Sequence, residues 1–170
     1  MKSQEYKNTA LKKVLLAAAL VLLAVIQNSF LPALGSTTAF FPLIPFAAVA
    51  AMFEHEFTGM LLGLLAGLLW DVSSPLPDGI LALLFTIMFC AAGLLSHYVL
   101  RRTLLSACVI TAVVTAVYLA VCFIFGMISR GAGLTFSYIT GFCLPALIIT
   151  VLFTPVFYSI IKFTEKKFSE

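Results

Sequence analysis

The chain has 170 residues, 62% of them hydrophobic and only 10% charged, with a formal charge of +3, whereas an ordinary soluble domain carries about 25% charged residues. Uncharged runs cover Val14 to Phe53, Thr103 to Ser129 and Gly131 to Ile161, and a transmembrane helix needs only about 20 residues. A soluble fold is excluded, and so is a membrane barrel, because the runs are apolar on both parities rather than alternating.

Lys2, Lys7, Lys12 and Lys13 precede the first predicted helix, 14–31, which ends at Pro32 before the turn Gly35-Ser36-Thr37-Thr38. A basic start followed by an apolar run and Ala33-Leu34-Gly35 also resembles a cleavable signal peptide. Pro32 and the length of the run favour a retained first helix instead. The second predicted helix, 39–53, ends at Glu54-His55-Glu56, and the third, 57–72, ends at the turn from Ser73 to Asp78. The fourth, 79–100, is stopped by Arg101-Arg102, and the fifth covers 103–128. The sixth, 138–161, contains Pro145 and Pro155 as expected kinks and is followed by Lys162, Lys166 and Lys167.

The second and third segments are short: at 1.5 Å per residue they reach about 23 Å, against a hydrocarbon core of about 30 Å. Charge arbitrates. Six spans with a cytoplasmic N-terminus put nine of the ten Lys and Arg residues inside and only Arg130 outside, whereas one span over 39–72 divides them five and five. The positive-inside rule therefore favours an all-α, polytopic membrane protein with six transmembrane helices, both termini cytoplasmic, and one integral membrane domain over 1–170. A re-entrant hairpin over 39–72 has the same parity and stays open. The same rule explains the clustered cations without a nucleic-acid partner.

Gly59, Gly63 and Gly67 recur every four residues and form a ridge without side chains, to which a second helix can approach to backbone contact. The expected use is helix packing or partner docking. Asp71 and Asp78 share one short turn with Ser74, Pro77 and Gly79, so paired-carboxylate hydrolysis has to be weighed. Asp78 precedes the fourth helix in a position suited to capping it, and Asp71, near the glycine face, is placed to accept hydrogen bonds from a neighbouring helix or loop backbone. Structural use of both acids is the expectation.

Gln27-Asn28-Ser29 is a polar cluster near the end of the first helix and suits interhelical hydrogen bonding. Glu54-His55-Glu56 reads as a solvated turn; His55-Glu56 lacks the second histidine of a zinc-protease motif, while a metal shared with His97 stays open. Cys90, Cys108, Cys122 and Cys143 stand singly and read as small packing residues. Arg130, with Tyr118, Thr135, Ser137, Tyr138 and Thr140, makes the outer end of the last two helices polar, for snorkelling, an anionic ligand or pairing with Asp71 or Asp78. No phosphate loop, activated nucleophile or cofactor fingerprint occurs in the sequence. Neither an enzyme site nor a cofactor or metal is expected.

Gln27, Pro42, Gly59, Gly63, Gly67, Asp71, Ser74, Pro77, Gly79, Ala82 and Leu83, at these spacings, resemble the rod-shape-determining MreD family. Two positions depart from that pattern: Leu43 where an acidic residue is usual, and Leu81 where a polar one is usual. The resemblance implies a multi-pass protein of the bacterial inner membrane, with no enzymatic activity. It also implies a scaffold role in the cell-elongation machinery, organising peptidoglycan synthesis and so rod shape. MreC is the direct partner it implies, with RodA, a class B penicillin-binding protein and MreB nearby, and lipids around it. In size and helix number such chains are also similar to the S components of energy-coupling-factor transporters, so the alternative expectation is a substrate-capture subunit for a vitamin-type small molecule, with an aromatic-lined outer pocket.

Overall fold

The computed structural model describes residues 2–30, 41–74, 76–98, 102–130 and 139–169. They form six α-helices: α1 Lys2–Phe30, α2 Leu43–Phe53, α3 Glu56–Asp71, α4 Ile80–Tyr98, α5 Leu104–Arg130 and α6 Leu144–Ser169. The fold is all-α, and α1, α4, α5 and α6 contain stretches long and apolar enough to cross a membrane. Helix α1 begins well before Val14, and α6 continues beyond Lys162. Hydropathy marks only the part of a helix that lipid would accept, whereas backbone hydrogen bonding continues through the basic flanks.

The short helix α2 is the axis of the bundle. Every residue from Leu43 to Met52 is buried, and α2 touches each of the other five helices. Its sequence has no polar face to present to water, so it needs apolar surroundings on every side, and here the neighbouring helices supply them. Alanines at 47, 48, 50 and 51 keep it slim enough for the neighbours to close over it. Leu16, Leu20 and Ala24 of α1 are buried in the same core, so the first helix is part of the bundle.

Helices alternate in direction between two ends. At one end Gln27 of α1 meets the start of α2, and the end of α3 meets the start of α4. At the other, Lys12 of α1 meets Glu54 and Glu165, Phe53 packs on Tyr158, and the Tyr158 hydroxyl donates to the Arg102 carbonyl over 2.9 Å. The turn between α2 and α3 thus lies at the same end as Lys12, Arg102 and Lys162.

Glu54 departs from the solvated turn expected of it. Its side chain is only 6% exposed and pairs with Lys12 Nζ at 2.6 Å, and the same ammonium pairs with Glu165 of α6. One lysine therefore ties three elements together. This pairing exists because α1 and α6 both stay helical through their charged ends, bringing Lys12 and Glu165 over the end of α2.

Prolines shape α6 at its start. A π-helical turn, Ile139–Cys143, precedes Leu144, so the wider turn falls where the Pro145 ring would crowd the carbonyl of residue 141 in an α-helix. Helix α6 continues through Pro155. Fully buried threonines recur on the packed pair α5 and α6, at 111, 115, 150 and 154. Thr150 donates to the Ala146 carbonyl at 2.7 Å, keeping its hydroxyl satisfied within its own helix.

Replacing Lys12 by Met strips both carboxylates of their counter-ion. Breaking a buried ion pair from one side costs about 3 kcal/mol or more, so Lys12→Met is expected to lower the thermal unfolding midpoint of the purified protein markedly. Glu165→Gln, which leaves the Lys12 and Glu54 pair intact, is expected to lower it by less.

Candidate functional site

The residues singled out in the sequence converge on the α3–α4 hairpin. Asp71 is the last residue of α3 and is buried. Its carboxylate accepts three backbone N–H groups at the start of α4: Gly79 at 3.0 Å and Ala82 at 3.2 Å on Oδ2, and Leu81 at 3.2 Å on Oδ1. The first N–H groups of a helix have no partner inside it. An acid at the C-terminal end of its own helix sits against an unfavourable dipole, but here the N-terminal end of the next helix offsets it with direct bonds.

The turn between them is built to bring this about. The Ser73 N–H bonds the Trp70 carbonyl, the Ser74 N–H bonds the Asp71 carbonyl, and Ser74 Oγ accepts from the Leu76 N–H. The Pro77 carbonyl accepts from the Ile80 N–H at 3.4 Å. Gly79 has φ of +89° with open space where a side chain would begin, so its requirement is conformational rather than steric. Asp78 is exposed, and the carboxylate that caps α4 is that of Asp71 rather than Asp78. The two acids do not share a buried cavity, because one is committed to backbone donors while the other faces outward.

The glycine ridge is occupied by the chain's own α4. A methyl group at Gly67 would collide with the Ala82 backbone and lie 2.6 Å from the Leu81 carbonyl oxygen; at Gly63 it would lie 2.6 Å from the Phe85 carbonyl oxygen. Gly59 is looser, with Ala51 Cβ at 3.1 Å and the Phe89 carbonyl oxygen at 3.2 Å. Gly93 returns the arrangement from α4, its missing side chain lying 3.2 Å from Glu56 Cα. The pairs 67 with 82, 63 with 85, 59 with 89 and 56 with 93 are an antiparallel register held along the whole of α3. Backbone therefore meets backbone, and this face is covered before any other protein arrives.

At the same end, the Leu43 N–H donates to Gln27 Oε1 at 3.3 Å, satisfying an early donor of α2, and Ser73 Oγ donates to Asn28 Oδ1 at 2.8 Å. Both contacts fasten α1 to the hairpins. An aromatic cluster lies beside them: Trp70 is 4.8 Å from Tyr118, 5.2 Å from Phe41 and 5.4 Å from Phe85, ring centre to ring centre. The sequence reading missed this cluster: its members are spread from 41 to 118, and Tyr118, which reads in the sequence as part of a polar outer end with Arg130, is instead buried against Trp70. Arg130 ends α5, but its side chain, like residues 131–138, lies outside the described residues.

His55 and His97 come within 6.2 Å between ring centres. Among the described residues no group of three His, Cys, Asp or Glu side chains is gathered as a metal site would need. Chemically, the hairpin can hold helix ends and exclude solvent; its one buried carboxylate is occupied by backbone donors. No family model, curated protein or solved structure matches this chain.

Substitution by alanine separates these roles. Gly67→Ala and Gly63→Ala press a methyl group against immovable backbone and are expected to destabilise by about 3 kcal/mol, the upper range for overpacking. Gly59→Ala, with helix propensity in its favour, is expected to stay within about 1 kcal/mol. Asp71→Ala leaves three helix-end donors without their acceptor and should cost about 3 kcal/mol, against no more than about 0.5 kcal/mol for Asp78→Ala. Thermal or denaturant unfolding of the purified variants checks both orders.

Proposed function

We propose that this chain is a non-enzymatic scaffold of the bacterial inner membrane, of the MreD kind, which helps organise peptidoglycan synthesis during cell elongation. One observation supports the reading. Most of the residues on which the resemblance to MreD rests, those of the 59–82 stretch together with Gln27, act in a single structural joint. Gln27 accepts from the residue after Pro42, the Gly63 and Gly67 ridge seats α4, and Asp71 binds the N–H groups of Gly79 and Ala82. Shared residues spent on holding helices together suit a protein whose task is to present a rigid surface. Fold alone does not assign function, so the partner carries the claim.

On this reading the protein spans the membrane six times with both ends in the cytoplasm. The alternation of six helices between two ends supports that topology, as does the gathering of Lys12, Arg102 and Lys162 at one of them. MreC, the proposed direct partner, docks on an outward face, because α4 already fills the glycine ridge. RodA, a class B penicillin-binding protein and MreB join through the same assembly.

The alternative, a capture subunit for a vitamin-type molecule, draws on the aromatic cluster of Phe41, Trp70, Phe85 and Tyr118. These rings pack on one another; the loops over 32–38 and 129–138, which would complete such a pocket, lie largely outside the described residues.

Purification from the native membrane in mild detergent, with proteins and small molecules identified by mass spectrometry, tests the proposal. Recovery of MreC or the wall-synthesis enzymes is the expected outcome, and it should survive Asp78→Asn. A stoichiometric vitamin or an energising transporter subunit in their place would overturn the scaffold reading.

A further inference from the structure

Positive charge at the Lys12 end of the bundle is divided into two kinds. Lys12 is spent on Glu54 and Glu165. Arg102 and Lys162, by contrast, are both exposed, and neither pairs with a carboxylate among the described residues. They are nevertheless held in place. The rings of Phe53 and Tyr158 pack with centres 5.5 Å apart; the Arg102 guanidinium lies 5.9 Å from the Phe53 ring centre, and Lys162 Nζ lies 5.7 Å from that of Tyr158. The Tyr158 hydroxyl, donating to the Arg102 carbonyl at 2.9 Å, locks the turn that carries Arg102 onto the helix that carries Lys162.

Two cations from different elements are thus set on one aromatic platform at the end of α2. Cation–π contact orients a charge without neutralising it, so both remain available to an anion. Large apolar side chains reach the surface nearby: Leu104 and Leu105 come after Thr103, with Leu105 74% exposed, and Ile160 and Phe163 lie to either side of Lys162, with Phe163 72% exposed. A free anion would use only the charges. An anion attached to acyl chains would use the charges and cover the leucine and phenylalanine faces as well.

We propose that Arg102 and Lys162, seated on Phe53 and Tyr158, form a headgroup site for an anionic phospholipid, whose chains lie along the exposed apolar residues of α5 and α6. The guanidinium supplies paired donors to phosphate oxygens, and the ammonium supplies a point charge. The inference requires only that the chain reside in a bilayer and does not depend on the scaffold reading.

The test is native mass spectrometry of the full chain, released from mixed phosphatidylglycerol and phosphatidylcholine of matched chain length. Wild type is expected to retain phosphatidylglycerol preferentially, and the double variant Arg102→Gln with Lys162→Gln to lose about tenfold of that retention. The double variant Lys13→Gln with Lys166→Gln removes two exposed cations from the same end of the bundle and is expected to change it less than about twofold. Tyr158→Phe, which removes the tether to Arg102 and leaves both cations, should fall between them. Equal losses in the two double variants, or no preference in wild type, would overturn the site in favour of a diffuse surface charge. Displacement of the lipid by millimolar inorganic phosphate would overturn the lipid assignment in favour of a free anion.

Discussion

In a bilayer two helices gain little by hiding leucines from one another, because lipid tails are as apolar as leucine. Close packing and a few polar contacts must hold them. The α3–α4 hairpin meets that constraint with glycines that bring two backbones together and a carboxylate that closes the end. The remainder of the bundle is arranged on this pair. Its Trp70 and Phe85 supply half of the aromatic cluster, and both of its helices cover α2. A shift of one residue between α3 and α4 would put side chains where Gly63 and Gly67 now face backbone, so the register admits little slippage.

Polar contacts that fasten one segment to another gather at the two ends. Asp71, Gln27 and the Asn28 pair with Ser73 occupy one end, and the Lys12 pairs with Glu54 and Glu165 occupy the other. Between them lie the apolar length of α2 and threonines such as Thr150 that bond within their own helix. From Lys12 to Gln27 the rise along α1 is about 22 Å. Two polar layers at about that separation suit a hydrocarbon core about 30 Å thick, near whose edges charges are least costly. The shortness of α2 follows from the same geometry, since it has only to bridge the two layers.

For function, what matters is where the polar groups are not free. The acid that most suggested chemistry, Asp71, has its carboxylate filled by helix-end donors, and the ridge that most suggested a docking surface is already docked. A partner in the proposed scaffold must therefore meet the outward faces, whose side chains are those that lipid also touches. On the proposed reading, association with MreC would depend on shape and on contacts at the ends.

Much of this was legible in the residues because it is local. An all-α membrane character, the order of the helices, the turn at Ser73 to Asp78, the ridge itself and the interhelical use of Gln27 all follow from composition and spacing along one short stretch. Capping was misplaced by seven residues, since Asp78 stands next to α4 in sequence and only the folded turn carries Asp71 back to its N–H groups. Glu54 read as solvated because nothing near it signals Lys12, 42 positions earlier, or Glu165 far beyond. The platform of Phe53, Tyr158, Arg102 and Lys162 was invisible for the same reason. By itself the sequence determined which segments are helical and apolar, properties each segment carries alone. Only the tertiary structure decided which faces meet and which charges are buried, because those depend on the register between helices that no single stretch contains.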